Sequence, residues 1–126
     1  MKKSVKKPCP LWLEEVAEAN YPAAESYLTL IYPPKKVARL IAKLRVAAPH
    51  EFKAKDVFRA SGLSLLGISN ERVIRDRKKI ADGKPLSPIL LVRDTANGKV
   101  VIADGYHRMC AVYSIDEGAG IPCKIV

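Results

Sequence analysis

Cysteine and histidine are scarce. The 126 residues hold 3 cysteines, Cys9, Cys110 and Cys123, and 2 histidines, with no Cys-x-x-Cys pair. Odd and widely spaced cysteines exclude a disulfide framework, and so few ligands of the right spacing exclude a structural zinc site, so a reducing, cytoplasmic setting is expected. No apolar run approaches the roughly 18 residues of a membrane span. The basic start Met1-Lys2-Lys3 leads into Ser4, Val5, Lys6 and Lys7 rather than an apolar signal core, so no membrane partner is expected. Acidic residues are in the minority, 13 against 22 Lys+Arg, which gives a net charge of +9 and a pI near 9.6. That surplus points to anionic partners: nucleotide phosphates, nucleic acid or an anionic surface. Four of the cations, Lys2, Lys3, Lys6 and Lys7, crowd the first seven residues, where a solvated terminus is the simpler reading than a binding arm.

What is present is ordinary for a folded domain: 48% apolar and 28% charged residues. The length suits one domain, expected as a helical N-terminal extension over residues 1–50 followed by an α/β unit over residues 51–126. In the extension, Leu11, Leu13, Val16 and Ala17 suggest a helix over residues 10–20, and Ala24, Tyr27, Leu28 and Ile31 suggest a second. After Pro33-Pro34 comes the clearest helix of the chain. Val37, Leu40, Ile41 and Leu44 form its apolar stripe, and Lys35, Lys36, Arg39, Lys43 and Arg45 fill much of the rest. Trp12, Tyr21, Tyr27 and Tyr32 favour burial of this region against the rest of the chain over an exposed partner site.

Beyond Pro49 the pattern changes. Phe52, Ala54, Val57 and Phe58 suggest a strand over residues 51–58, followed by a glycine-rich turn. A cap at Ser69-Asn70 opens a basic helix reaching Ile80 and ended by Asp82-Gly83. Ile89-Leu90-Leu91-Val92 and Val100-Val101-Ile102-Ala103, joined through Asn97-Gly98, form the strongest hairpin signal. A helix from about His107 to Ile115 and a strand over residues 121–126 complete the chain, and the strand, helix and strand could form a crossover unit.

Two features could carry chemistry. In Ala103-Asp104-Gly105-Tyr106-His107-Arg108 an apolar strand ends in a glycine turn that opens a helix, whose free N–H groups attract anions, with a His and an Arg close by. The simpler alternative has Asp104 capping that helix. On the preceding helix Arg72, Arg75 and Lys79, spaced i, i+3 and i+7, share one face; a solvated face partly neutralised by Asp76 is the alternative.

In order and spacing, residues 51–126 resemble the ParB/sulfiredoxin superfamily. The resemblance rests on the first strand, the basic helix, Gly83-Lys84-Pro85-Leu86-Ser87-Pro88-Ile89-Leu90-Leu91-Val92, the hairpin, Asp104-Gly105-Tyr106-His107-Arg108 and Ile121-Pro122-Cys123-Lys124-Ile125-Val126. It implies an α/β fold with a small mixed sheet and packed helices. It also implies nucleotide phosphates bound by Gly105, His107 and Arg108, with Arg72, Arg75 and Lys79 as further ligands. The nucleotide would be ATP or ADP first and CTP second, with magnesium left open and no protein metal site expected.

Two departures narrow the function. Tyr106 stands where sulfiredoxins carry their reactive cysteine, which removes the nucleophile for sulfinic acid repair, and Cys110 on the next helix is expected to be a small buried residue. Partitioning ParB proteins carry Gly-Glu-Arg-Arg at the turn, where this sequence has Gly105-Tyr106-His107-Arg108, and continue into DNA-binding and dimerisation domains, so a segregation clamp is not expected. The expectation is a nucleotide phosphate-binding protein, with phosphotransferase or nucleoside-triphosphate hydrolase activity open. Asp104 is the nearest candidate base, with Glu51, Asp56 and Asp76 as rivals. A nucleic-acid-binding module is the alternative, since residues 56–63 followed by the basic helix imitate a helix-turn-helix, though with a long turn. A regulatory or interaction role for the N-terminal helices is a third.

Overall fold

A computed structural model describes residues 8–126; the cationic cluster Lys2, Lys3, Lys6 and Lys7 lies outside the described residues. Five helices and four strands follow in the order α1 (Asn20–Leu28), α2 (Pro34–Val46), β1 (His50–Lys53), α3 (Ala54–Ser61), α4 (Glu71–Ala81), β2 (Ile89–Asp94), β3 (Lys99–Asp104), α5 (Tyr106–Ile115) and β4 (Gly120–Ile125). The strands form one mixed sheet in the order β1-β4-β2-β3, antiparallel at both edges and parallel between β2 and β4.

The apolar run at residues 89–92 is explained by a sheet buried on both faces. Leu90 and Val92, with Val101 and Ala103, face α1 and α2, where Leu28, Val37, Ile41 and Leu44 complete the packing. Ile89, Leu91 and Ile102 face the opposite way, onto Val57 of α3, Val73 and Ile80 of α4, and Met109 and Val112 of α5. The N-terminal helices thus supply one of the two layers that close the sheet.

Three local expectations are corrected. Residues 10–20 do not form a helix. Leu11 and Leu13 lie about 200° apart on a helix and share no face. Instead the backbone runs extended beside Leu86, with Leu13 N–H donating to the Leu86 carbonyl at 2.8 Å and Leu86 N–H to the Leu11 carbonyl at 2.7 Å. The strand expected over residues 51–58 stops at Lys53, and α3 takes over. Ala54, Val57 and Ser61, spaced i, i+3 and i+7, are all buried, so helical periodicity outweighs the apparent alternation. Gly62, at φ 67°, ends α3 in the left-handed conformation. Finally, β4 pairs with β2 and not with β3, so β3, α5 and β4 do not make a parallel crossover of neighbouring strands.

No helix among the described residues is long and apolar enough to cross a membrane.

Candidate functional site

Where β3 ends, Gly105 turns the chain into α5 at φ 110°, a conformation open to glycine and strained for other residues. Space makes the same demand: a Cβ there would lie 2.8 Å from Ile89 Cγ1 and 3.0 Å from Arg108 Nη2. The α5 N-terminus has no side-chain cap. Asp104 does not cap it; its Oδ2 accepts from Arg108 Nη2 at 2.8 Å. Intrahelical bonding starts with Met109 N–H on the Gly105 carbonyl at 2.9 Å, leaving the N–H groups of the first turn open.

Arg108 is the fixed cation. Both it and Asp104 are mostly buried, and Nη2 also points to the Pro88 carbonyl at 3.4 Å. Its Nε–H is buried and has no partner, a donor that an anion oxygen would satisfy.

Across the cleft stands α4. Asn70 opens it, its Oδ1 accepting from the N–H groups of Arg72 at 3.0 Å and Val73 at 3.2 Å. Val73 and Ile80 seat the helix in the core, while Arg77 Nη1 donates to Ser114 Oγ on α5 at 2.6 Å. That orientation brings Arg72, Arg75 and Lys79 toward Gly105. They are exposed, and among the described residues none of them is in an ion pair.

One cleft of about 210 Å³ is lined by Arg72, Arg75, Asp76, Lys79, Asp104, Gly105, His107 and Arg108. All seven residues nominated from the sequence therefore meet in it. Four cations face two carboxylates, a formal surplus of two positive charges with His107 neutral. Burial, reinforced by the Arg72 guanidinium, holds the His107 imidazole below the usual histidine value despite the opposing pull of Asp76. A neutral ring offers one donor and one acceptor.

Asp76 is the eighth lining residue. Burial pushes its carboxyl above the usual aspartate value, against the pull of Arg108, Lys79, His107 and Arg75. It is thus a half-buried carboxyl in the cleft without an ion-pair partner, whereas Asp104 is committed to Arg108. The other two rivals lie elsewhere: Glu51 on β1 packs against Gly120, and Asp56 on α3 borders a separate groove with Phe52 and Ile125.

The cysteines offer no activated thiol in the core. Cys110 is buried and its thiol is pushed up by burial, as is that of Cys123, to about 12. Tyr106 instead uses its hydroxyl to donate to the Ser64 carbonyl, tying the loop 62–70 to α5, and its ring lies 5.5 Å from that of His107.

A phosphate group fits these donors: open helix N–H groups, an orphaned guanidinium N–H and three unpaired cations. No group of three or more His, Cys, Asp or Glu side chains able to hold a metal exists among the described residues. A magnesium ion here would therefore take most of its ligands from phosphate and water. The chain matches no family model, no curated protein and no solved structure, which leaves the chemistry of the cleft itself as the ground for a function.

Proposed function

We propose that this protein binds the phosphate groups of a nucleotide in the cleft between α4 and the N-terminus of α5. The observation that carries the reading is convergence: Arg72, Arg75 and Lys79 from one helix and Gly105, His107 and Arg108 from another line the same 210 Å³. Each residue has a distinct task. The first turn of α5 gives N–H donors, Arg108 a charged fork held by Asp104, His107 a neutral ring, and the α4 row exposed positive charge. ATP and ADP are the first candidates and CTP the second, in line with the sequence resemblance, and magnesium would arrive bound to the phosphates.

Phosphoryl transfer or hydrolysis would add one requirement, a group that takes a proton from the attacking hydroxyl or water. Asp76 meets it better than Asp104, because its carboxyl is not held by an arginine.

Nucleic acid is the weaker reading. The helices α3 and α4 are separated by the loop 62–70 rather than the tight turn of a helix-turn-helix.

A thermal-shift panel of ATP, ADP, CTP and GTP, with and without magnesium, tests the proposal on the wild type and on Arg72→Ala and His107→Ala. The wild type should gain melting temperature with at least one nucleotide and both variants should lose most of that gain. No gain with any nucleotide, or an equal gain in both variants, would refute it.

A further inference from the structure

On the face of the sheet that packs against α3, α4 and α5, one corner is left uncovered. There a hollow of about 240 Å³ opens between α3 and the strands. Phe52 of β1, Leu91 of β2, Val100 of β3 and Ile125 of β4 form its floor, and Val57 and Ala60 of α3 its wall. The gap follows from how α3 is turned. Its one large aromatic, Phe58, packs on Tyr113 of α5 with ring centroids 5.2 Å apart, so the small Ala60 is left beside the strands. The hollow shares no residue with the phosphate cleft. It lies toward the opposite end of β2 and β3 from Gly105, since Leu90 pairs with Asp104 but Arg93 with Val100.

The two remaining lining residues, Asp56 and Arg93, carry opposite charges. Arg93 stands two residues beyond Leu91 on the same strand face, and its backbone N–H is fixed on the Val126 carbonyl at 2.8 Å. Its guanidinium is in no ion pair among the described residues. Asp56 precedes Val57 on α3, and its ion pair with Arg59 spans 4.0 Å between two exposed side chains, a contact of little strength. A free cation from the sheet and a weakly held anion from the helix thus flank an apolar floor.

We propose that this hollow binds a free α-amino acid with an apolar side chain. The carboxylate lies on the Arg93 fork, the ammonium group on Asp56, and the side chain covers Leu91, Val100 and Ile125. Only a zwitterion answers both charges. An apolar amine leaves Arg93 without a partner, an apolar carboxylic acid brings its charge against Asp56, and either end of a peptide supplies one charge of the two. The volume sets the size: 240 Å³ holds about eight waters and falls below the roughly 300 Å³ at which sites for drug-sized ligands begin, which suits leucine or phenylalanine. The inference goes beyond the phosphate reading, and either can fail without the other.

The test is titration of the isotope-labelled full chain with leucine and with phenylalanine, followed through its backbone amide resonances. The controls are glycine, which lacks the side chain, and the analogues of each amino acid that lack the amine or the carboxyl group. At least one of the two amino acids should saturate the chain and shift the amides of Val57, Leu91, Arg93 and Val100, and its controls should bind at least tenfold more weakly. Arg93→Gln and Asp56→Asn should each weaken the amino acid at least tenfold, on the scale of a charge-assisted hydrogen bond. Asp56→Asn should also bind the analogue lacking the amine more tightly than the wild type does, because the opposing carboxylate is gone. Both substitutions lie at exposed positions, and unchanged resonances away from the hollow verify that each variant is folded. Absence of saturation with both amino acids, shifts centred on the phosphate cleft, controls that bind as tightly as the amino acid, or wild-type affinity in the variants would overturn the inference.

Discussion

At residue scale, Gly105 and His107 have the sharpest consequences. A methyl group at Gly105 would meet Ile89 and Arg108 while forcing an L residue to φ 110°. Gly105→Ala is therefore expected to cost about 1–3 kcal/mol of stability and to displace the guanidinium. Denaturant unfolding measures the first effect and nucleotide titration the second. His107 is held below its usual value of 6.5, so the unfolded chain takes up the proton first as pH falls. Its contribution to stability is then complete above about 6.5 and declines as pH drops from there toward the folded value. A bound phosphate reverses the local field made by Arg72 and Arg108, and so should raise the His107 value. Proton NMR titration of the imidazole, with and without nucleotide, should show the His107 value moving upward. Asp104, the nearest carboxylate in sequence to the glycine turn, belongs instead to Arg108. Asp76, in the sequence both a neutralising charge and one of three rival bases, is set apart from the other two by its half-buried place in the cleft.

At the scale of elements, the site depends on how α4 is capped and seated. Asn70→Ala removes the acceptor for two N–H groups and should cost about 1 kcal/mol, or roughly 4 °C of melting temperature. Because the cap adjoins Arg72, nucleotide affinity should also fall, and comparing melting temperatures with and without nucleotide separates the two effects. Elements with one dominant periodicity were legible in the sequence: α2 through its Val37, Ile41 and Leu44 stripe, α4 through its cap and its Asp82-Gly83 stop, and the β2-β3 hairpin through Asn97-Gly98. Short elements were not. Residues 54–58 offered too few turns to tell a strand from a helix, and α3 is settled by what Ala54, Val57 and Ser61 bury against. Similarly, residues 10–20 are governed by long-range bonds to Leu86, which no local pattern encodes.

For the whole molecule, the division of the core is the main result. Cutting the chain at residue 48 would strip α1 and α2 from Leu90, Val92, Val101 and Ala103. Each of the three larger side chains so exposed forfeits up to about 1.5–3 kcal/mol, a loss of the same order as the whole margin of a small domain, about 5–15 kcal/mol. The fragment lacking residues 1–48 should be insoluble or should unfold without a cooperative transition; a stable, cooperative fragment would make the helices an accessory layer. The spacing of residues named the two halves of the cleft separately, and only the resemblance implied that they meet, because two helices separated in the chain by a hairpin face each other only once the sheet has set their positions.

The most direct test of the phosphate cleft uses the sign of its charge. Isothermal titration of ATP should show about tenfold weaker binding by Arg75→Ala, on the scale of a charge-assisted hydrogen bond, and tighter binding by Asp76→Asn, which removes a carboxyl from the same cleft. Opposite shifts of the two variants are the predicted result, and wild-type affinity in both would contradict the site.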